Sequence, residues 1–196
     1  MSGPDTEPKR TPVVRTIVNV WATLSLVGFV LTVAAGLILW SKGLGARPEP
    51  SALEANVSMH AWESSIPTRY EEMKNPISAA AFDLNESASH YAEHCAVCHG
   101  MNGKGETAFK GTMYPRPPDL TSTDTQEMSD GELYWTIKNG VRWSGMPAFG
   151  EPGENDQHAW KIVAFLRQLP KLSPEQIIVL QQSHEAADHS HMDHDH

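Results

Sequence analysis

The sequence His94-Cys95-Ala96-Val97-Cys98-His99-Gly100 contains both cysteines of the chain, and a histidine follows the second cysteine directly. This C-x-x-C-H spacing is the attachment signature of c-type haem. On a helix, residues three and four apart share one face, so Cys95, Cys98 and His99 point the same way. The two thiols can add to the two vinyl groups of a porphyrin, while the imidazole binds its iron. The motif therefore predicts one covalently bound haem c with His99 as an axial ligand.

Two other uses of the cysteine pair, a zinc site and a redox dithiol, fit the sequence less well. A structural zinc site needs two further ligands at close spacing, and the next downstream histidine is the distant His158. A thioredoxin-type dithiol follows a strand in an alternating α/β pattern, whereas residues 80–94 are alanine-rich and helical in character. A plain disulfide would not require His99. Haem attachment is the favoured interpretation.

The composition of the chain excludes one class of function. Its formal net charge is −9, whereas nucleic-acid binding requires a basic stripe. Only 20% of the residues are charged, which is not typical of a disordered chain. With 196 residues, the chain has room for one small domain and additional segments.

Residues 17–40, IVNVWATLSLVGFVLTVAAGLILW, lack charged side chains and are long enough to cross a membrane. At 1.5 Å per residue they would form a helix of about 36 Å, against a hydrocarbon layer of roughly 30 Å. Trp21 and Trp40 lie near the two ends, where aromatic belts form. A cleavable signal peptide has an apolar core of only about 7–15 residues, so an uncleaved anchor is favoured over a cleaved leader.

The pattern after the anchor predicts a helical haem domain. A first helix is expected from about Asn85 to His99, and a last helix from about Asn155 to Leu169, where Pro170 ends it. Between them, Ser129 and Glu132 have the spacing of a capping box that begins a third helix, which stops at Asn139-Gly140. Residues 100–121 contain no convincing element, and we expect this loop to wrap the haem in place of a larger core.

Four motifs together make residues 84–169 resemble the class I cytochromes c. They are Tyr91-x3-Cys95-x2-Cys98-His99-Gly100, Pro118-Asp119-Leu120, Gly140-x5-Met146-Pro147 and the aromatic-bearing last helix. The resemblance implies an all-α, class I cytochrome c fold, here preceded by one transmembrane helix. It also implies that the first and last helices cross beside an aromatic pair, Tyr91 and Phe165.

The resemblance also nominates Met146 as the second axial ligand of the iron. The sequence agrees, because Met101 is too close to His99 to reach the opposite face of the ring. Met113 and Met128 lack the Gly140 turn and the rigid Pro147 that would aim a thioether. The alternative for Met146 is a core position, which is the more common role of methionine.

Further residues of the haem environment follow from the same similarity. The carbonyl of Pro118 would accept a hydrogen bond from His99 and fix its tautomer. Leu120 would pack on the ring. Arg116 and Trp143 are candidate partners of the haem propionates, with ordinary surface or packing roles as the alternative.

Ligation by histidine and methionine fills both axial positions, which favours outer-sphere transfer of single electrons over catalysis. The resemblance implies redox protein partners, and c-type haem attachment outside the cytoplasm implies a haem domain on the periplasmic side of a bacterial inner membrane. We therefore predict a membrane-anchored respiratory electron carrier, as a tethered shuttle or as a subunit of a larger complex, and not an enzyme. The alternatives are a peroxidase or gas-ligand sensor with a dissociable methionine, and a metal-handling protein.

The segments predicted from these patterns follow one another along the chain. They are a cytoplasmic tail (1–16), a transmembrane helix (17–40), a periplasmic linker (41–79), the haem domain (80–170) and a C-terminal helix with a histidine-rich tail (171–196). Within the linker, Thr68 and Glu71 have the spacing of a capping box, and the sequence leaves open whether the linker is flexible or docked.

The C-terminal segment combines a predicted helix with half of the chain's histidines. Ser173-Pro174 is typical of a helix start, and the apolar residues after it could dock on the domain or on a partner. The tail carries candidate ligands for copper or zinc, or is simply a solvated acidic tail that gains charge below about pH 6.5. These histidines are His184, His189, His191, His194 and His196.

Overall fold

The computed structural model describes residues 12–43, 45–78, 81–150 and 156–182. The chain divides into two compact units, Met1–Gly45 and Ala46–His196. The described residues form helices and no strands, which confirms the predicted all-α class. The histidines of the C-terminal tail lie outside the described residues.

Over the part of the first unit that is described, the chain forms one long helix, α1 (Pro12–Lys42). Its apolar side chains are exposed, with Trp21 and Trp40 accessible at 67% and 89%. The stretch Pro12–Ser41 is long and apolar enough to cross a membrane. A helix that is apolar on all sides and lacks a protein core around it suits a lipid environment.

Within the described residues, the second unit contains six α-helices before residue 170, and three of them build its core. The core helices are α3 (Leu84–His94), α6 (Asp130–Asn139) and α7 (Gln157–Leu166). The others are α2 (Ala52–Glu63), α4 (Ala96–His99) and α5 (Thr123–Glu127). Helix α7 packs against both α3 and α6, so it is the centre of the domain. The rings of Tyr91 and Phe165 lie 5.0 Å apart between α3 and α7, which confirms the predicted aromatic pair.

Local capping explains where the core helices begin. Ser129 accepts from the backbone of Glu132, and the Glu132 carboxylate accepts from the backbone of Ser129, so the predicted capping box is confirmed. Asp83 caps α3 through a carboxylate oxygen that accepts from the amides of Asn85 and Glu86, and Asp156 caps α7 through one that accepts from the amide of Ala159.

The ends of two predicted helices differ from the structure. The first helix is interrupted at Cys95, which caps α3 and begins α4. The last helix ends at Leu166, and Pro170 lies in a separate 3-10 turn, Leu169–Lys171. Residues 174–182 form another helical segment, and its Leu180 is buried against the core.

Part of the predicted linker packs directly on the haem domain. Ile66 is buried, and Tyr70 stacks on Tyr134 of α6 with ring centroids 6.3 Å apart. The side-chain amide of Asn75 donates to the backbone carbonyl of Trp160 in α7 at 2.9 Å. Over this part of the chain the linker is therefore docked, an alternative that the sequence left open.

The prediction of a capping box formed by Thr68 and Glu71 in the docked segment is wrong. Thr68–Tyr70 form only one turn of 3-10 helix, with Pro67 at its N-cap and no side-chain capping bond. Because proline has no N–H and a fixed φ, it cannot take part in the reciprocal bonding of a capping box.

Candidate functional site

The cysteine motif lies at the junction of α3 and α4, where the chain makes one short helical turn. The backbone amides of Cys98 and His99 both donate to the carbonyl of Cys95, at 3.1 and 2.9 Å. Tyr91, fully buried in the core, donates its hydroxyl to the carbonyl of Gly100 at 2.9 Å. The motif is therefore fixed at both ends to the helix crossing that forms the core.

The two cysteines are free thiols in the structure. Burial, reinforced by the neighbouring Cys98, raises the pKa of the Cys95 thiol to about 12. A thiol with such a pKa stays protonated at neutral pH, whereas a redox dithiol depends on a readily formed thiolate. Paired but unbridged thiols on one helical turn fit the attachment of a haem and disfavour the redox alternative.

His99 is oriented by a backbone carbonyl. Its Nδ1 lies 3.3 Å from the carbonyl oxygen of Pro118. A carbonyl only accepts, so Nδ1 carries the proton and Nε2 keeps a free lone pair. Burial lowers the pKa of His99, against an opposing effect of the Pro118 hydrogen bond, so the ring stays neutral at pH 7. A neutral imidazole with an oriented Nε2 is the form that binds iron.

The loop after the motif depends on a close backbone approach at Gly105. This residue has a φ of 65°, and a Cβ atom there would collide with the carbonyl oxygen of Pro117. The amide of Leu120 donates to the carbonyl of Gly103 at 2.7 Å, which closes the loop and buries Leu120 to 8% exposure. Only glycine allows this approach, which brings the Pro118 carbonyl within hydrogen-bonding distance of His99.

The residues around Met146 form a second tight loop. Gly140 has a φ of 66°, and a Cβ atom there would lie 2.7 Å from the carbonyl oxygen of Met146. That carbonyl accepts from Val141 at 3.1 Å, and the Met146 amide donates to the Ser144 hydroxyl at 3.0 Å. The Met146 side chain is half-buried and packs against the core. The loop therefore holds this thioether at the edge of the domain core.

Met113, a weaker candidate than Met146 for the second axial ligand, lies close to the same loop. A Cβ atom at Gly145 would be 2.5 Å from the Met113 sulfur. Two thioethers therefore lie near adjacent residues of one loop. No sequence motif indicates this proximity, because it depends on the path of residues 100–121.

The two candidate propionate partners are exposed. The Arg116 guanidinium donates to the Glu49 carboxylate at 2.6 Å, an ion pair between the loop and the linker. Trp143 is 91% exposed and has a φ of 60°. Both residues lie on the loops that carry Pro118 and Met146, and their contact with a propionate stays a prediction.

Two residues that the sequence did not indicate tie the loops to the core. The Gln126 side-chain amide donates to the carbonyls of Leu120 and Leu166, at 2.7 and 3.1 Å. Arg167 donates to the Asp130 carboxylate at 3.0 Å and to the carbonyl of Gln126 at 2.7 Å. A third bond from Arg167 reaches the carbonyl of Met128 at 2.5 Å. No sequence motif marks these polar side chains, so their role becomes visible only in the folded structure.

Comparisons with known proteins agree with this geometry. Residues 82–166 match the family model described as cytochrome c oxidase, cbb3-type, subunit III. The chain is also similar to a thiosulfate dehydrogenase of Stutzerimonas stutzeri (strain A1501), with 31% identity over 98 residues. That alignment covers 50% of this chain and 30% of the relative, so the chain spans less than a third of the relative's length.

The matched region contains the cysteine motif, the oriented imidazole and the loop with the half-buried methionine. The single cysteine pair limits the chain to one haem of the c type, and the residues present fit that group. The predicted cofactor is thus confirmed, as is an electron-transfer role at the level of the domain. Residues 82–166 therefore form a cytochrome c domain of the monohaem type, with a covalently bound haem c.

Proposed function

We propose that this protein is a membrane-anchored carrier of single electrons whose iron is closed on both faces. The observation that carries the proposal is the oriented, neutral His99, which the Pro118 carbonyl holds at 3.3 Å beside two free thiols. When bound, the haem supplies a one-electron couple between ferrous and ferric iron. The residues of the chain attach it, close its faces and fix its surroundings.

Each residue of the proposed site has a separate task. Cys95 and Cys98 would hold the haem through two thioether bonds, and His99, through Nε2, and Met146 would bind its iron. Pro118 keeps the His99 proton on Nδ1, and Leu120 supplies an apolar surface. With both of these residues on the iron, no place would be left for a substrate, and the chemistry would be electron transfer to and from partner proteins.

The anchor and the docked linker support a tethered position for the haem domain. Helix α1 has the length and composition of a span, and haem attachment outside the cytoplasm favours a periplasmic domain. Since Ile66, Tyr70 and Asn75 pack on the domain, the part of the linker that can move freely is shorter than residues 41–79. We infer that donor and acceptor are proteins within the short reach of this tether.

Carbon monoxide binding tests the closed iron. The full-length protein in detergent should show no spectral change when carbon monoxide is added to the reduced form at pH 7. Met146→Ala should bind carbon monoxide, because it opens one axial position, whereas Met113→Ala should behave as wild type. Binding by the wild-type protein would instead support the peroxidase or gas-sensor alternative. Binding by Met113→Ala with none by Met146→Ala would assign the ligand to Met113.

A second candidate function follows from the similarity to a thiosulfate dehydrogenase. The chain would then be the haem subunit that accepts electrons from the oxidation of thiosulfate by an associated protein. Gentle solubilisation of the membrane and identification of the co-purifying proteins distinguish the candidates. A thiosulfate-oxidising partner, together with reduction of the haem by thiosulfate in that preparation, would favour the subunit. An oxidase or a quinol-oxidising partner without thiosulfate reduction would favour a respiratory carrier.

A further inference from the structure

The face of the domain formed by α3 and α7 carries three histidines that the haem site does not use. His90 and His94 lie one turn apart on α3, with ring centroids separated by 4.8 Å. His158, near the start of α7, has its ring centroid 5.5 Å from that of His90. Two different helices therefore bring imidazoles to one place, which does not follow from the haem fold itself.

A carboxylate completes the cluster. One potential ligand atom from each of His90, Glu93 and His94 lies within 4.8 Å of the others. Ligand atoms on a tetrahedral metal are about 3.3 Å apart, for bonds of about 2.0–2.1 Å. Small rotations of these side chains, two of which are exposed, would close that difference.

The spacing of these residues in the sequence is one that zinc sites use. His90-Tyr91-Ala92-Glu93-His94 has the form H-x-x-E-H, in which two histidines on one helical face bind zinc in certain metallopeptidases. The backbone that carries both histidines is already held in place, because α3 is tied into the core through Tyr91. A site on a preformed helix avoids the cost of ordering its ligands.

The surroundings of the cluster suit a cation. An open depression of about 330 Å³ lies beside the cluster, and His90, Glu93 and His158 are among its lining residues. Ser87 also lines it, is 1% exposed, and its hydroxyl has no hydrogen-bond partner within the described residues. The one lysine at the rim, Lys161, is paired with Glu86 at 2.6 Å, so its charge is compensated.

The half-buried His90 is also in the protonation state that a metal requires. Burial is the main cause that lowers its pKa, and the neighbouring His94 and His158 lower it further. Glu93 and Asp156 oppose this effect. The imidazole is consequently neutral at pH 7, and a bound cation displaces no proton from it.

We propose that His90, Glu93 and His94, with His158 as a ligand from the second helix, form a binding site for zinc or copper(II). Imidazole and carboxylate are ligands of borderline softness, which suit these ions more than calcium or magnesium. None of these ligands is among the residues proposed to hold the haem, and none belongs to the C-terminal tail. It stands whether or not the proposed electron-transfer partners are found.

Equilibrium dialysis of the full-length holoprotein against zinc tests the proposal. The starting variant has all five tail histidines replaced by alanine, so that the tail cannot bind the ion. It should bind one zinc per chain. His94→Ala, or His90→Ala, should weaken binding by more than about 100-fold, since loss of even a supporting residue costs roughly 10–100-fold. His158→Ala should weaken it less than either.

The control is His60→Ala, which removes an exposed histidine of α2 outside the cluster and should leave binding unchanged. Because His94 is exposed, its replacement should also leave the haem spectrum and the helix signal in circular dichroism unchanged. Copper(II) provides a second readout, in which nitrogen splittings in the electron paramagnetic resonance spectrum should disappear with His90→Ala. The proposal would be overturned if the starting variant bound no zinc, or if His90→Ala and His94→Ala bound zinc as tightly as the starting variant.

Discussion

Gly131, in the first turn of α6, lies in close contact with the docked linker. A Cβ atom there would collide with the carbonyl oxygen of Tyr70 and lie 2.8 Å from Cβ of Met73. Both neighbours belong to the linker segment. Replacement of Gly131 by alanine therefore tests whether this segment is docked as the structure shows.

Two opposing effects set the magnitude. In an ordinary helix, a change from glycine to alanine stabilises by roughly 0.5–1 kcal/mol, because the unfolded chain loses freedom. Here the added methyl meets backbone, which cannot rotate away, and overpacking of this kind costs about 1–3 kcal/mol. We expect Gly131→Ala to lower the free energy of unfolding by about 1–2 kcal/mol.

Urea unfolding of the holoprotein in detergent, followed by circular dichroism, measures this change. Trypsin cleavage after Arg69 and Lys74 should also accelerate about 5–30-fold, because a local cost of 1–2 kcal/mol raises the undocked population by that factor. Gly111→Ala is the matched control, since nothing lies within 4 Å of a Cβ atom at that exposed residue. A Gly131→Ala protein as stable and as resistant to trypsin as wild type would refute the docked arrangement.

Three further predictions concern the contacts that hold the site. Arg167→Ala should lower the free energy of unfolding by about 2 kcal/mol in urea titration, because charge-assisted bonds to the Gln126 and Met128 carbonyls are lost; unchanged stability would contradict it. Tyr91→Phe should lower the free energy of unfolding in the same titration by about 1 kcal/mol, since it removes only the hydrogen bond to the Gly100 carbonyl. An unchanged free energy of unfolding would show that water replaces this hydrogen bond. With metal chelated, stability should fall as the pH drops below about 6.5, because the unfolded chain protonates His90 more readily than the folded one, whose pKa burial lowers. His90→Asn should reduce this dependence of stability on pH, and an unchanged dependence would assign the effect to other groups.

The parts of the fold that the sequence predicted are those set by short-range chemistry. Ser129 and Glu132 are three residues apart, so their capping box could be recognised without knowing any long-range contact. The cysteine motif and the break-prone Gly140 are equally local. The Tyr91–Phe165 pair spans most of the domain, and only the resemblance to known cytochromes c predicted it.

The parts that could not be predicted depend on contacts between distant segments. The docking of the linker requires the close approach of Tyr70 to Gly131. The aromatic Tyr70 is compatible with docking, but these residues are distant in the sequence, which therefore left open whether the linker is flexible or docked. Helix α5 (Thr123–Glu127) is too short to show a periodic pattern. The Ser122 hydroxyl stabilises its start, because it accepts from the Thr125 amide and donates to the backbone carbonyl of Asp119. The proximity of Met113 to Gly145 likewise follows from the path of a loop rather than from any motif.

The intact mass of the denatured protein tests the proposed attachment most directly. Wild-type protein, purified from cells that mature c-type cytochromes, should have the mass of the polypeptide plus one haem, which persists after acid and organic solvent. The double variant Cys95→Ala, Cys98→Ala should have the mass of the bare polypeptide. A wild-type protein without the added mass, or a double variant that retains it, would contradict covalent attachment of haem at this cysteine pair.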